Sequence, residues 1–412
     1  MSMKAFQQEV VSGGTQKPLG DGEQPETMNP VAGIGIWVLM FVLIYMYSPW
    51  AFVFALALAV SIIAHEWGHY WTAKRSGMKA TQFFLGFGPR IWSTHRNGVE
   101  WGVRVIPLGG FVKIIGMTNV DEVDPADESR TYRQGSYPRR MWVITAGSVM
   151  HLIIAFAIIV PLYAISGPVQ HTDRVELWRI SDDSPAADAG LVAGDVVTSL
   201  DGQPVTSADG FRGELALRAP GTTIDLTVLR GDETLDISAR LEQHPDFTEE
   251  RGFLGVNTSD EERVPLGVGE AFVQGPKDLV TGVGQAIVGV AKVLNPVNVW
   301  GHLVGTNDDA TSRPSTIVGA TQVSDDVGTF GGWPEVLLLL AGVNVSVGVI
   351  NMFPLLPLDG GHAAIATYER LRSRRGKRYY ADINKLMPVA AVSLALIAFM
   401  FLTGLYLDIV KG

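Results

Sequence analysis

Val60-Ser61-Ile62-Ile63-Ala64-His65-Glu66-Trp67-Gly68-His69 is the stretch on which the reading of this chain turns. It ends in an H-E-x-x-H motif and closes an apolar run that starts at Val31. On a helix, residues four apart share a face, so both imidazoles reach one metal ion. Glu66 sits beside them, in place to take a proton from water at that ion. Ionisable side chains at membrane depth cost about 2.5–3.5 kcal/mol each on the insertion scale. Such groups seldom stay there without a partner or a task, and a divalent cation would offset the cost directly.

The composition agrees with a membrane setting. Of 412 residues, 47% are hydrophobic and only 18% charged, and the apolar residues come in blocks. There is no cysteine, so disulfides and thiolate ligands are excluded and any metal rests on His, Asp or Glu. The net charge of -10 argues against nucleic acid as a partner. Pro168 to Phe330 holds 11 basic and 26 acidic residues, against 21 and 16 in the rest of the chain. By the positive-inside rule the acidic block is extracytoplasmic.

Residues 1–30 are polar and read as a disordered terminal tail. A membrane-spanning helix needs about 20 residues, and the run from Val31 exceeds that. The Ser48-Pro49-Trp50 break divides it into helices near 31–47 and 50–73, or kinks one long helix; both readings stay open. Lys74, Arg75 and Lys79 put the end of this helix in the cytoplasm. Two β-prone runs flanking Asn97-Gly98 predict a hairpin. Further spans are expected at 141–166, around Ala341–Pro357 and around Met387–Leu407. A basic loop from Arg370 to Arg378 lies between the last two, on the cytoplasmic side. The expected units are thus a membrane core at 31–166, a small domain at 172–258, a membrane-surface connector at 268–330 and a second membrane core at 333–412.

A catalytic zinc site takes three protein ligands and keeps one position open. No Gly-x-x-His follows His69, and the nearest downstream carboxylate, Glu100, falls on the expected hairpin. The better third ligand is Asp359, the only acid between Glu335 and Glu369. Pro354 and Pro357 break the helix just before it and free backbone groups, as at a cavity inside a membrane. Taken alone, Asp359 also reads as an acidic helix cap with Gly360-Gly361 as a turn.

Two motifs in separate apolar segments, His65-Glu66-x-x-His69 and Asn351-x-x-Pro354…Pro357-x-Asp359-Gly360-Gly361, resemble those of the site-2 protease family. The resemblance covers roughly residues 50–410 and is strongest to the bacterial branch that carries out regulated intramembrane proteolysis. It implies a polytopic α-helical membrane protein with four or five spans, a membrane-associated β-hairpin and an inserted α+β extracytoplasmic domain. It implies one zinc ion held by His65, His69 and Asp359, with Glu66 as general base and acid. Asn351, Pro354, Pro357, Gly109 and Gly110 are then expected to shape the substrate groove. The substrates implied are single-span membrane proteins, such as anti-sigma factors, or signal-peptide remnants. The active site is expected toward the cytoplasmic side. The sequence departs from the family at Gly147-Ser148-Val149-Met150-His151, where Gly-Pro-x-x-Asn is usual. His151 therefore either stands in for that Asn or serves packing alone.

The acidic block resembles a PDZ domain, chiefly at Gly190-Leu191…Gly194-Asp195, with Gly252-Phe253-Leu254-Gly255-Val256 as a candidate carboxylate-binding loop. PDZ domains bind extended peptides by strand addition. Two rivals stay open. One is a water-facing membrane metalloprotease for quality control, and the other is an inactive PDZ membrane scaffold.

Overall fold

The structure, a computed structural model, describes residues 28–117, 121–244, 250–307, 309–373 and 377–410. The expected tail at 1–30, save its last three residues, and Arg374-Arg375 of the basic loop lie outside the described residues. The chain divides into two compact units, Met1–Val160 with Phe272–Gly412, and Pro161–Ala271.

Helix α1 (Pro30–Tyr47) starts at Asn29, whose side chain accepts from the Val31 amide, with Pro30 in the first turn. That turn has no use for the N–H that proline lacks. Ser48 ends α1 and caps α2 (Pro49–Arg75), its Oγ accepting from the Trp50 and Ala51 amides at 3.1 Å. Of the two readings of the Ser48-Pro49 break, the structure takes two helices. The same Oγ donates to Asp325 at 2.5 Å.

Strands β1 (Ala80–Arg96) and β2 (Val99–Ile114) meet at Asn97-Gly98, with φ of 53° and 76°. A tight two-residue hairpin turn asks for positive φ at both positions. Beyond the turn the arrangement is more curled than the two-stranded hairpin read from the sequence. Residues Gln82 to Leu85 pair with 100–103 on one side and with 110–113 on the other, while 92–96 flank 99–103. The order of segments across the sheet is 110–114, 80–85, 99–104, 90–96. Gly86 and Gly88, at φ 88° and 81°, permit the fold-back, because a Cβ is disfavoured there. Helix α1 lies against this sheet: Trp37 Nε1 donates to Arg104 O at 3.1 Å and Val105 O at 3.0 Å. Helix α3 (Tyr137–Ile165) follows.

The Pro161–Ala271 unit holds β3 (Val169–Ile180), α4 (Pro185–Asp188), β4 (Val196–Leu200), β5 (Gln203–Pro204), α5 (Ala208–Ala216), β6 (Thr223–Arg230), β7 (Glu233–Arg240), β8 (Glu242–Gln243), β9 (Gly252–Phe253) and β10 (Val256–Arg263). The main sheet runs β10-β3-β4-β6-β7, with β5 paired to β4. Its strands alternate inward and outward: Ile224, Leu226 and Val228 are buried in a core with Val175, Leu177 and Phe211. Asp195, fully buried, accepts from Arg230 Nε at 2.7 Å, from a second Arg230 nitrogen at 2.8 Å and from the Val192 amide at 3.0 Å. Burial alone would raise its pKa, but the Arg230 and Val192 hydrogen bonds outweigh it and hold the carboxyl below the usual range.

The remaining helices are α6 (Val268–Val293), α7 (Pro296–Val304), α8 (Ile317–Asn351), α9 (Asp359–Arg372) and α10 (Ile383–Val410). Among the described residues five helices are long and apolar enough to cross a bilayer, and the bent α6–α7 pair makes up to six. The span expected around Ala341–Pro357 differs in its bounds. Helix α8 begins at Ile317, inside the expected connector, breaks at Gly332 (φ 66°) and ends at Asn351. Pro354 and Pro357 leave residues 352–358 non-helical, since proline offers no amide to continue the helix. Asp408 of α10 holds the start of α8, accepting from the Thr316 and Gly319 amides at 2.7 and 3.1 Å. A carboxylate at a helix N-terminus is favoured by the unpaired amides there.

The depressed Asp195 pKa sets a pH dependence. Its contribution to stability is fully present above the unfolded value of about 3.9 and is lost as pH falls below it. Arg230→Leu should leave that buried carboxylate only the Val192 amide as a partner, destabilising the unit at neutral pH. The deficit should shrink as pH drops toward 4, read as hydrogen exchange in β4 and β6.

Candidate metal centre

Helix α2 carries His65, Glu66 and His69 within two turns. His65 and His69 are buried and face α3. Gly68 lets the two helices approach: a Cβ there would lie 2.9 Å from Ala146 O and 2.7 Å from Met150 Cγ. Gly147 is tighter still. A Cβ on it would lie 2.5 Å from both His65 Nε2 and His69 Nε2, so only glycine leaves the imidazoles their places.

Asp359 is the first residue of α9. The 352–358 loop folds back on the start of that helix. A Cβ on Gly360 would meet Met352 O and Phe353 O at 2.2 Å, and one on Gly361 would meet Leu355 O at 2.9 Å. The glycine pair is therefore a close-approach site as well as a turn. Helix α9 is tied to α3 by the Arg140–Glu369 ion pair, 2.7 Å long and largely buried, and by Tyr137 Oη and Thr367 Oγ1 at 3.2 Å. Glu369 also accepts from the Ala381 amide at 2.8 Å.

These constraints bring three ligand atoms together from distant parts of the chain. His65 Nε2 and His69 Nε2 are 3.1 Å apart, and Asp359 Oδ2 lies 3.5 and 3.1 Å from them. Ligand atoms on a tetrahedral zinc, each about 2.0–2.1 Å from the metal, are separated by about 3.3 Å. His69 Nδ1 donates to Val143 O at 2.8 Å, so its Nε2 turns a lone pair toward the Asp359 oxygen. Asp359 Oδ2 is buried and accepts no hydrogen bond. Two facing acceptors in a buried place call for a cation between them. The residues present therefore fit a divalent metal with His65, His69 and Asp359 as ligands. Glu100, the other carboxylate weighed from the sequence, accepts from Gln82, Arg90 and Ser93 instead.

Glu66 points to the sheet. Its Cγ would lie 2.9 Å from a Cβ on Gly110, and the Val112 amide donates to its carboxylate. Gly110 thus lies against Glu66, whereas Gly109 (φ 140°) packs on Phe87. Asn351 is the last residue of α8, and Pro354 and Pro357 are exposed on the loop before Asp359. His151 lies in the centre: its ring is 5.0 Å from that of His65, and its Nδ1 is 2.8 Å from Asn344 Oδ1. Asn344 was not singled out from the sequence. The available signal was an amide inside the apolar run of α8, but such residues also serve helix packing.

Residues 53–397 match the family described as Peptidase family M50. The chain is similar to the zinc metalloprotease Rip1 of Mycobacterium tuberculosis, 34% identical over 397 residues covering 87% of this chain and 96% of that one. The protein of the same name from Mycolicibacterium smegmatis is 31% identical over 402 residues, again 87% and 96% of the two chains. Among solved structures, the PDZ domain of the SdrC-like protein from Listeria monocytogenes is 27% identical, covering 21% of this chain and 90% of that one with a TM-score of 0.20.

Gly147→Ala should drive a methyl group into the imidazole pair. Zinc affinity, measured by competition with a chromogenic chelator, should fall at least about tenfold, equivalent to roughly 1.4 kcal/mol.

Proposed function

Because the chain belongs to Peptidase family M50, the site-2 protease family, and is a membrane zinc metalloprotease, we propose that it cuts other membrane proteins within or at the edge of the bilayer. The observation that carries this reading is the meeting of His65, His69 and Asp359 between helices apolar enough to span. His65, His69 and Asp359 hold the zinc. When bound, zinc supplies Lewis acidity that polarises a carbonyl and makes water nucleophilic near neutral pH.

Glu66 takes a proton from the attacking water and passes it to the leaving amide nitrogen. The water oxygen bonds to the carbonyl carbon, the C–N bond breaks, and a carboxylate and an amine result. A helical substrate must unwind first, because its amides are paired along the helix. The 110–114 segment borders the sheet beside Glu66 and offers backbone groups to an unwound strand. Gly109 and Gly110 keep that edge close, and Asn351, Pro354 and Pro357 shape the other side of the groove. The substrates are single-span membrane proteins of the anti-sigma-factor or signal-peptide-remnant kind, cut in regulated intramembrane proteolysis.

The active site faces the cytoplasmic side. Lys74 and Arg75 end α2, Arg139 and Arg140 lie in the first turn of α3, and Arg370 and Arg372 end α9. The acidic Pro161–Ala271 unit is extracytoplasmic by the same rule. It is PDZ-like and docks an extended peptide on β10, which among the described residues stands at the edge of the sheet beside β3.

Glu66→Gln should keep zinc and fold yet lose at least about a hundredfold in cleavage. Membrane proteins that accumulate in cells carrying this variant are the substrates, identified by quantitative proteomics of the membrane fraction. A soluble unfolded protein cut faster than any of them would favour the water-facing quality-control reading. Asp359→Ala should lower bound zinc in purified protein, and full occupancy would point to another third ligand.

A further inference from the structure

Helix α5 lies along the side of β10 that faces away from β3, and both ends of the helix are tied there. At its start, Asp260 Oδ2 of β10 accepts from the Ala208 amide at 3.0 Å, a carboxylate on a helix N-terminus. Near its end the chain of β9 comes close: a Cβ on Gly252 would meet Leu215 O at 2.7 Å and Arg218 O at 3.0 Å. Phe211 and Leu215 of the same helix are buried in the core of the unit. Between the two ties Arg212 crosses from the helix to the strand. Its Nη1 donates to Thr258 O at 3.3 Å and to Thr258 Oγ1 at 3.4 Å, and its Nη2 donates to Asp209 Oδ1 at 2.6 Å.

This crossing is easily undone. Both bonds to Thr258 are longer than the common ~2.9 Å. The Arg212 side chain is 55% exposed and that of Asp209 93%, so water competes for the pair. Yet the guanidinium occupies the place that strand addition needs. A peptide laid on β10 must give its amides to the outward carbonyls of that strand, and Thr258 O is one of them. Arg212 and a peptide amide compete for the outward side of the same oxygen.

The charges around this edge are one-sided. Arg212 is the only basic residue of α5, and the charged residues of β10 before Arg263 are Asp260, Glu261 and Glu262. A carboxylate on an added strand therefore meets like charge along most of the edge and a cation only beside Thr258. A guanidinium has five donors, so Arg212 can keep Asp209 and serve a second carboxylate as well.

We propose that Arg212 guards the peptide edge of β10 and selects an extended peptide with an Asp or Glu side chain beside Thr258. This rests on the docking reading given above. A neutral peptide displaces Arg212 and gains nothing in return. An acidic one displaces it and pairs with it.

The test uses full-length protein in lipid nanodiscs. A synthetic library of random nonapeptides is passed over the immobilised wild type, and retained peptides are sequenced by mass spectrometry. They should share an Asp or Glu at one position of a common motif; a motif with no acid overturns the proposal, and an empty pool overturns it together with the docking reading. One retained peptide is then compared with its Gln form by fluorescence anisotropy. Wild type should hold the acidic form about fivefold tighter, the reach of an exposed ion pair. Arg212→Ala removes a side chain that is more than half exposed and leaves the core of the unit in place. This variant should lose the preference and hold the Gln form about twofold tighter than wild type does, because nothing has to be displaced. A preference that survives in Arg212→Ala overturns the proposal, and so does a Gln form held no better by the variant. C-terminal amidation of the acidic peptide should leave its dependence on Arg212 unchanged; loss of that dependence would mean that Arg212 reads the chain terminus, and the proposal fails. A peptide N-methylated at alternate residues separates the two readings. If it still binds, strand addition has failed. If methylation abolishes binding while acidic and Gln forms bind wild type alike, only the role of Arg212 has failed.

Discussion

Three ligand atoms, two of them imidazole nitrogens and one a carboxylate oxygen, lie within 3.5 Å of one another in a buried place. Such crowding of acceptors is unfavourable without a cation, so the surrounding fold must impose it. It does so through contacts that tolerate little change. Gly68 and Gly147 bring α2 and α3 together until backbone and imidazole touch. Gly360 and Gly361 let the proline-broken loop press on the start of α9, which delivers Asp359. The Arg140–Glu369 pair then locks α9 to α3 at its other end.

The same economy of polar groups holds elsewhere in the helices. Asp408 is 1% exposed and is consumed by the open amides at the start of α8. Ser48 serves one helix as a cap and another through Asp325. Each polar side chain inside an apolar layer must find a partner, because none is supplied by lipid. His151 Nδ1 and Asn344 Oδ1 meet at 2.8 Å, and the other end of the Asn344 amide donates to Leu340 O.

Much of the fold was legible because it is written in local chemistry. Apolar runs, proline and serine at 48–49, and Asn97-Gly98 mark helix ends and a tight turn by rules that need no distant partner. Helix α8 begins earlier than the span expected around Ala341–Pro357, because Gly332 kinks it without ending it, and it stops at Asn351, just before the prolines expected to break it. A period-two pattern shows a plain hairpin here, because the second pairing of 82–85, with 110–113, leaves no mark on it. Nothing near Asn344 in the sequence says that it meets a histidine 193 positions away.

The sequence alone determined that two histidines share a helical face at the end of an apolar run with a glutamate beside them, since helical spacing is a local property. It also limited the third ligand to a few carboxylates. Only the tertiary structure decided that Asp359 Oδ2 meets both imidazoles, that glycine at 147 leaves them room, and that Glu66 lies against the 110–114 segment. The reason is physical: these contacts join segments far apart in the chain, and their distances depend on how closely helices pack rather than on any spacing along it.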